Sequence, residues 1–465
     1  MSGTKGPLRV VILGGGFGGI TVARELERRL HRDDSVHVTL VNRENYFLFT
    51  PMLHEVAASD LDLATIVNPI RKLLRRTSLF TGLVESIDTA AHVVRVTHAD
   101  GAHAHLLPYD HLVVALGAVT NFYGIAGLDQ RAVTMKTLGD AIALRNQLIE
   151  RLEEADFECS RDIREPLLTV LVAGGGFAGV ETVAAVNDFL RAALRFYPNL
   201  RPTDLRVMIV HPGAYLLPEL GETLGRYTQA QLRARGVEVV LNTKVAAVHD
   251  DQVQLTNGSV VATRNLVWTA GTSANPVLDN LPCGKARGRL VVDATLQVPG
   301  HSGLWALGDC ASIPAPDGGS YPPTAQHALR QGKQLAANII ATIRATPLSP
   351  FRFRTLGLLA SIGQRTGVAS ILGVNFSGFV AWWLWRTIYL AKLPRLEKKV
   401  RVALQWTLDV FFSKDIVQFA TRHAPTISRA DSAAPEDSGN HLPLAGTMPR
   451  DATHDAPPSL TLEIA

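Results

Sequence analysis

The stretch Gly14-Gly15-Gly16-Phe17-Gly18-Gly19 decides the fold, and it returns 160 residues later as Gly174-Gly175-Gly176-Phe177-Ala178-Gly179. Each copy follows an apolar run, at residues 8–13 and 167–173, and precedes a stretch rich in Ala, Val and Glu. This strand, turn and helix pattern is typical of dinucleotide-binding folds, where glycines let the backbone approach a pyrophosphate at a helix N-terminus. The doubled pattern predicts an α/β protein with two Rossmann-like domains. The turn glycines expected to bind the two nucleotides are Gly14, Gly16, Gly19, Gly174, Gly176 and Gly179.

Composition bounds the class of protein. The chain has 465 residues, a hydrophobic fraction of 46% and a formal net charge of +4, which predict a globular protein of about three domains. It has no long basic tract interleaved with aromatic residues, so we expect no nucleic-acid partner. The cysteines, Cys159, Cys283 and Cys310, are far apart, which argues against a disulfide framework, a metal site or a local redox disulfide. No cleavable leader precedes the first strand, so we expect a cytoplasmic protein.

The first unit continues as a nucleotide-binding domain. After a predicted helix at residues 17–29, a strand at 36–41 ends at Asn42, where such domains usually carry an acid that binds ribose hydroxyls. The Asn42 oxygen can still accept a hydrogen bond and Arg43 can reach a phosphate; a plain strand-end turn is the alternative. The loop at 46–53, which contains Pro51, is apolar enough that we expect it to cover a flat group.

A buried strand that ends in a glycine turn occurs once in each unit. In the first unit it is predicted at residues 112–118, after a hairpin at 79–107, and in the second unit at 266–271. The residues at these turns that we expect to lie at the nucleotides are Ala115, Gly117 and Gly271.

The acidic ribose position is also replaced in the second unit. The predicted helix runs to about residue 196, and the following strand, at 205–210, ends at His211. A carboxylate at this position would repel the 2′-phosphate of NADPH, so its absence leaves the choice between NADH and NADPH open. No arginine follows directly to bind that phosphate.

A carboxylate and a helix start come next along the chain. Gly308-Asp309 lies at a strand end, where Asp309 suits the ribityl hydroxyls of a flavin, with an ordinary turn aspartate as the alternative. Thr324 is a good N-cap for a helix that is predicted to run to about residue 343. Such a helix N-terminus, directed at a flavin, would stabilise the negative charge of its reduced form.

Taken together, these motifs resemble the type II NADH:quinone oxidoreductases, over residues 8–420. The resemblance is carried by the two glycine turns in this order, by Asn45-Tyr46-Phe47-Leu48-Phe49-Thr50-Pro51 and by Ala306-Leu307-Gly308-Asp309. Its most specific motif is Ala325-Gln326-His327-Ala328-Leu329-Arg330-Gln331-Gly332, which is similar to the family's quinone-site helix.

The resemblance implies a function and a set of site residues. FAD would bind at the first glycine turn and NADH, or NADPH, at the second, and the two electrons would pass to a membrane quinone without proton pumping. Ala325 and Gln326 would line the quinone side, with Gln331 a weaker candidate, and Glu181 would support hydride or proton transfer near the flavin. The family also implies a homodimer.

The C-terminal region indicates a membrane surface as partner. Four of the six tryptophans lie between Trp382 and Trp406, and Trp382, Trp385 and Tyr389 share one helical face by spacing. A second helix is predicted to carry Val400, Leu404, Leu408 and Phe411. Six basic residues, which suit anionic lipid, are Arg386, Lys392, Arg395, Lys398, Lys399 and Arg401. We therefore expect peripheral docking on the cytoplasmic face of the cell membrane, with dimer packing and a poor transmembrane span at 367–385 as alternatives.

The expected domain organisation follows from these assignments. An FAD domain takes residues 1–120 and 290–350, an NAD(P)H domain takes 121–289, and a membrane or dimer module takes 351–422. The remainder, 423–465, has little apolar periodicity and is predicted to be disordered.

Three other functions stay open. A sulfide:quinone oxidoreductase needs persulfide-forming cysteines, for which only Cys159 and Cys310 are candidates. A soluble ferredoxin-type reductase would have no need of the C-terminal aromatic residues. A nucleotide sensor without catalysis would show negligible turnover with any acceptor.

Overall fold

The first glycine turn lies in a five-stranded parallel sheet. In the computed structural model, which describes residues 6–98 and 103–419, Leu8–Leu13 is the central strand, and its carboxyl end leads directly into the turn. The strand lies between Val36–Asn42 and His111–Val114, and all four of its core residues from Val10 to Leu13 are buried. The complete order is Leu304–Ala306, His111–Val114, Leu8–Leu13, Val36–Asn42 and Ser78–Thr81.

The second glycine turn lies in a second five-stranded parallel sheet with the same plan. Its central strand is Thr169–Ala173. The prediction that this strand begins at residue 167 is wrong, because Leu167 and Leu168 end the helix Arg161–Leu168. The complete order is Val133–Thr134, Asn265–Trp268, Thr169–Ala173, Arg206–Val210 and Val237–Val240. The two sheets confirm the predicted α/β fold with two Rossmann-like units.

Helices cover the two sheets. Phe17–Arg29 follows the first turn and packs along Ala325–Ile343, which confirms both predicted helices. Gly332 lies at this contact, where a Cβ atom would be 2.9 Å from the Gly18 carbonyl oxygen, so the helices approach closely. The second unit carries Leu138–Phe157, Arg161–Leu168, Phe177–Ala193 and Gly221–Ala234, and the short helices are Leu53–Ala57, Ile70–Leu73 and Leu128–Arg131.

Each unit also carries a three-stranded antiparallel insertion. The predicted hairpin at 79–107 is wrong in its extent, because Ser78–Thr81 joins the first parallel sheet and three further strands follow it. The insertions are Leu83–Asp88, Val93–Thr97 and Ala104–Pro108 in the first unit, and Val245–His249, Gln252–Leu255 and Val260–Ala262 in the second. Smaller strands are Tyr46–Leu48 with Val67–Pro69, Ala118–Thr120 with Thr272–Ala274, and Lys285–Ala286, Arg289–Val291 and Ala311–Ser312.

The C-terminal module combines a sheet with two helices. The antiparallel strands Gly357–Ser361, Gly367–Ile371 and Val374–Ser377 precede the helices Gly378–Lys392 and Leu396–Leu408. Phe411, which was predicted to lie on the second helix, follows its end. Among the described residues, no helix is both long and apolar enough to cross a membrane. The predicted disordered tail, 423–465, lies outside the described residues.

The predicted membrane-facing side of the first C-terminal helix is wrong. Trp385 is fully buried and Tyr389 is half-buried, so neither ring faces outward. Two of the six basic residues also turn inward, since Lys398 is buried and Arg386 lies over the rings of Trp382 and Trp406. The exposed apolar side chains, which we call the outer apolar face, are Phe379, Val380, Trp383, Leu396, Val400, Leu404, Leu408, Val410, Phe411 and Phe412.

Candidate active site

Both glycine turns have the geometry of a phosphate site. Gly14 and Gly174 have φ of +103° and +118°, a conformation that favours glycine. A Cβ atom at Gly19 would lie 1.9 Å from the Gly14 carbonyl oxygen, and one at Gly179 would lie 1.8 Å from that of Gly174. These four glycines are therefore required by backbone conformation and close packing.

The third glycine of each turn borders open space. A Cβ atom at Gly16 or Gly176 would meet no atom within 4 Å, and both residues are helix N-caps without a side-chain capping bond. Neither helix has an acidic residue in its first turn. Free backbone N–H groups at a helix N-terminus bind phosphate. Both turns thus fit a dinucleotide pyrophosphate.

The two replaced acids hold the turns themselves. Asn42 Oδ1 accepts a hydrogen bond of 2.8 Å from the Gly15 N–H, and its Nδ2 donates to the Glu44 carbonyl. In the second unit His211 Nδ1 accepts from the Gly175 N–H at 3.1 Å. The acceptor atom of each side chain is thus used by the neighbouring turn.

The other predicted nucleotide residues flank the turns. A Cβ atom at Gly14 would lie 2.3 Å from the Ala115 carbonyl oxygen, and Gly117 has φ of +67°. A Cβ atom at Gly271 would lie 2.5 Å from the exposed ring of Tyr123, which would have to move to admit a side chain. Arg43 is exposed and pairs with Glu44 at 3.2 Å, so it does not line the cavity described next.

A cavity of about 620 Å³ lies between the two units, and it brings together most of the predicted catalytic residues. Phe17 and Phe177, the first residues of the two glycine-turn helices, line it together. A ligand in each turn would therefore reach the same space. The predicted site residues that line this cavity are Pro51, Glu181, Asp309, Ala325 and Gln326.

Asp309 lies on the cavity wall near an amine that the sequence did not indicate. Burial raises the pKa of Asp309, and the Lys136 ammonium opposes that rise. Lys136 also lines the cavity and donates to the Ala118 carbonyl at 3.3 Å. In the sequence, the only indication of a role for Lys136 is its position after a short strand, and many residues share such a position. The pair gives this wall one carboxyl and one amine.

The helix Ala325–Ile343 begins at the cavity. Thr324 caps it as predicted, accepting a hydrogen bond from the His327 N–H. Gln326 is held by the C-terminal sheet, because its Nε2 donates to the Gly357 carbonyl at 3.1 Å and its Oε1 accepts from the Leu356 N–H at 3.0 Å. Gln331, the weaker quinone candidate, is buried away from the cavity, where its Oε1 accepts from the Gly308 N–H.

Glu181 is a buried carboxyl on the cavity wall. Its Oε1 accepts from the Ser361 N–H at 3.1 Å and from the Trp385 indole N–H at 3.0 Å. Burial raises the pKa of Glu181 to about 8 despite these two donors. The side chain is therefore mostly protonated at neutral pH and can donate a proton into the cavity.

His54 completes this wall and Glu55 follows it in the chain, and neither residue was predicted from the sequence. His54 lines the cavity with Nδ1 at 3.8 Å from Glu181 Oε2, and burial lowers the pKa of its imidazole to about 3, so the contact is not an ion pair. Glu55 is buried and accepts from the Trp406 indole at 3.1 Å. The pair follows directly after the apolar loop at 46–53. Nothing in the sequence indicates that two polar residues on a short helix are buried.

The cysteines lie apart from the cavity. All three are free: Cys159 is exposed, Cys283 is half-buried and Cys310 is buried. None of them lines the cavity. Within the described ranges, no group of three or more His, Cys, Asp or Glu side chains is placed to hold a metal ion.

Two family models match the chain. Residues 8–332 match the pyridine nucleotide-disulphide oxidoreductase model, and residues 356–415 match the NDH2 C-terminal domain. The second match coincides with the module that supplies the Trp385 and Trp406 indoles.

Curated proteins and solved structures that are similar to this chain include members of the same group of enzymes. The chain is 31% identical to the type II NADH:quinone oxidoreductase Ndh of Mycobacterium tuberculosis, over 86% of this chain and 87% of that protein. It is also 31% identical to the demethylphylloquinone reductase NdbB of a Synechocystis species, covering 86% and 95%. Its fold matches NDH2 of Plasmodium falciparum, solved in complex with NADH, with a TM-score of 0.82 and 20% identity, over 88% of this chain and 99% of that one.

Proposed function

The chain belongs to the type II NADH:quinone oxidoreductases of the pyridine nucleotide-disulphide oxidoreductase family, and from that premise we propose which residues bind each substrate and cofactor. FAD, held at the first glycine turn, would take hydride from NADH or NADPH at the second turn and pass two electrons to a membrane quinone, without proton pumping. The observation that carries this proposal is one cavity lined by both Phe17 and Phe177, the first residues of the two glycine-turn helices.

The first site is proposed for FAD because it offers more than a pyrophosphate cradle. Asp309 presents a carboxyl on the cavity wall for the ribityl hydroxyls, and Lys136 lies beside it. The Thr324-capped helix directs its N-terminus at the same cavity, which favours a negative charge there. Gly16 leaves the space that a phosphate needs.

The second site is proposed for the nicotinamide donor, with weak discrimination against NADPH. Burial lowers the pKa of His211, so its imidazole is neutral, and Nδ1 accepts from the Gly175 N–H. The ring proton therefore lies on Nε2, and a hydrogen bond to the Tyr215 backbone also holds the ring. A neutral imidazole at this position does not repel a 2′-phosphate, whereas a carboxylate would.

The quinone is proposed to enter beside the start of the helix Ala325–Ile343. Ala325, Leu329 and Tyr389 give this part of the cavity an apolar wall, and Lys392 lies at the same side. Gln326 holds the C-terminal sheet with both ends of its amide. Its Nε2 carries a second N–H, which the Gly357 carbonyl does not use and which can donate to a quinone carbonyl.

Glu181 is proposed as the proton donor for quinone reduction. A quinol carries two protons more than its quinone, and Glu181 holds a proton at neutral pH because burial raises its pKa to about 8. The Trp385 indole fixes the carboxyl on the cavity wall.

The outer apolar face is proposed as the membrane contact, on the cytoplasmic side of the cell membrane. Its exposed side chains include Leu396 and Phe411, each 77% exposed. Lys392 and Arg401 lie exposed on the same two helices, where they can meet anionic headgroups. A homodimer that covers part of this face is compatible with peripheral docking of the rest.

One set of assays tests the function. The purified full-length protein is expected to be yellow, to lose its flavin absorbance when NADH or NADPH is added, and to oxidise the donor with a quinone, faster when liposomes are present. The same preparation is assayed with sulfide and with ferredoxin as partners. A flavin that NADH does not bleach, or turnover with ferredoxin but none with quinone, would contradict the proposal.

A further inference from the structure

A cluster of buried ionisable groups lies behind the cavity wall, and the proposed function leaves it unused. Glu55 is at its centre, facing Arg386 from the first C-terminal helix and Asp60 from the loop after its own helix. Asp409 and Lys414 close the cluster from the C-terminal segment. Arg386 Nε and Asp409 Oδ2 are buried without a hydrogen-bond partner. Burying polar atoms without hydrogen-bond partners costs stability, so such a group calls for an explanation.

The cluster interacts with the cavity wall. Glu55 helps to raise the pKa of Glu181, and His54, the residue before Glu55 on the short helix Leu53–Ala57, has its Nδ1 at 3.8 Å from Glu181 Oε2. The indoles of Trp385 and Trp406 bond to Glu181 and Glu55 and lie with ring centroids 6.4 Å apart. Each carboxyl is thus bonded to one ring of an aromatic pair, and the His54 ring contacts Trp385 with centroids 5.6 Å apart.

The other end of the cluster reaches solvent. Asp60 Oδ1 lies 2.6 Å from Lys414 Nζ, and their side chains are 20% and 9% exposed. The Asp60 N–H also donates to the Glu55 backbone carbonyl at 2.7 Å, and the Asp60 carboxylate helps to raise the pKa of Glu55. A partly exposed ionisable group therefore interacts with Glu55, which in turn interacts with Glu181.

We propose that Glu55 is a proton-carrying residue, which resupplies Glu181 through His54 with protons taken up at Asp60. The proposal rests on the proposed function. The overall reaction, NADH plus one proton plus quinone to NAD⁺ plus quinol, takes one proton from water in each turnover, and the two electrons come with the hydride. Glu181 gives that proton to the cavity and regains one from the Glu55 side, so that no charge accumulates.

The chemistry of the three groups suits this transfer. Burial raises the pKa of Glu55 to about 8, as it does that of Glu181, so a proton moves between groups of matched affinity. The neutral imidazole of His54 has one nitrogen that donates and one that accepts. It can therefore accept a proton at one nitrogen while it releases another from the other nitrogen, so that no imidazolium accumulates. Donor and quinone would fill the cavity during turnover, so a route behind its wall keeps Glu181 supplied.

The test compares acceptors that differ in proton demand. Quinone takes up protons on reduction, whereas ferricyanide takes up electrons alone. For Glu55→Gln in the full-length holoenzyme, the ratio of the quinone rate to the ferricyanide rate should fall about tenfold or more, the scale of general acid catalysis. The solvent isotope effect on the quinone rate should rise. Glu397→Gln, which removes an exposed acid from the second C-terminal helix, is the matched control.

Two more variants separate proton supply from packing. Trp406→Phe removes the hydrogen bond to Glu55 and keeps the carboxyl, so its quinone to ferricyanide ratio should stay well above that of Glu55→Gln. Equal losses in the two variants, or a wild-type ratio in Glu55→Gln, would overturn the proposal. If Glu55→Gln does not fold, Asp60→Asn carries the same test at the solvent end. A wild-type protein without quinone reductase activity would instead overturn the proposed function.

Discussion

Replacing Trp385 by Phe tests whether the C-terminal module sets the proton affinity of Glu181. The indole N–H donates to Glu181 Oε1 at 3.0 Å in a fully buried site. A hydrogen bond to a charged group contributes about 1.5–3 kcal/mol, against about 0.5–1.5 kcal/mol for a neutral one. Losing the donor therefore penalises the carboxylate over the carboxylic acid by about 1–1.5 kcal/mol, which is about one pKa unit.

The direction of the effect follows from the role of Glu181. A proton donor works in its protonated form, so the quinone rate should fall as pH rises through the Glu181 pKa, which burial raises to about 8. In Trp385→Phe this decline should move about one unit higher. The assay is the initial rate of NADH oxidation with a water-soluble quinone between about pH 6 and 10.

The matched control is Trp383→Phe, on the same helix but with its side chain 53% exposed. It should leave the pH profile where the wild type has it. A lower rate of Trp385→Phe with an unmoved profile, or a profile that moves to lower pH, would contradict the effect of the Trp385 indole on the pKa of Glu181. Thermal unfolding of each variant shows whether lost packing contributes.

The remaining predictions concern the nucleotides and the membrane. His211→Glu introduces a carboxylate that repels a 2′-phosphate, so the NADPH to NADH ratio of kcat/KM should fall about tenfold or more, the equivalent of about 1.4 kcal/mol; an unchanged ratio would show that residue 211 does not face the 2′ position of the donor. Gly16→Ala should weaken FAD binding, measured by fluorescence titration, with the fold retained, because φ at Gly16 is −78° and its Cβ would enter open space. Gly176→Ala should instead raise the KM for the donor with flavin content unchanged; loss of flavin would show that the two sites are misassigned. Leu404→Glu with Phe411→Glu should abolish flotation with anionic liposomes, since each buried apolar side chain contributes about 1.5–3 kcal/mol; retained flotation would place the membrane contact elsewhere.

The glycine turns could be predicted from sequence because their signal is local. The requirement for positive φ at Gly14 and for close packing at Gly19 lies within six residues, and so do the strand before them and the helix after them. The same is true of Thr324, whose capping role depends on the residue three positions later. Local patterns of this kind predict structure without knowledge of the contacts that distant residues make.

The direction of the C-terminal tryptophans could not be predicted in this way. Helical spacing groups Trp385 with Tyr389 but does not say which face is covered. The partner of Trp385, Glu181, lies 204 residues away, and that of Trp406, Glu55, lies 351 residues away. Aromatic residues in an apolar helix favour a membrane interface on composition alone. Here two of them are hydrogen-bond donors in the core, and the outer apolar face is formed by their neighbours.

The two buried carboxyls reduce stability at the pH where the enzyme would work, and this argues for their chemical role. In the unfolded chain each glutamate ionises near its ordinary pKa of 4.5, whereas in the folded chain burial raises the pKa of both Glu55 and Glu181 to about 8. Between these values the folded chain holds protons that the unfolded chain has lost, so the free energy of unfolding falls as pH rises from about 4.5 to 8. Apolar residues at both positions would remove this penalty. Burial keeps both acids protonated near neutral pH even though the C-terminal helices supply each carboxyl with an indole donor, and it does so for one acid on the cavity wall and one behind it.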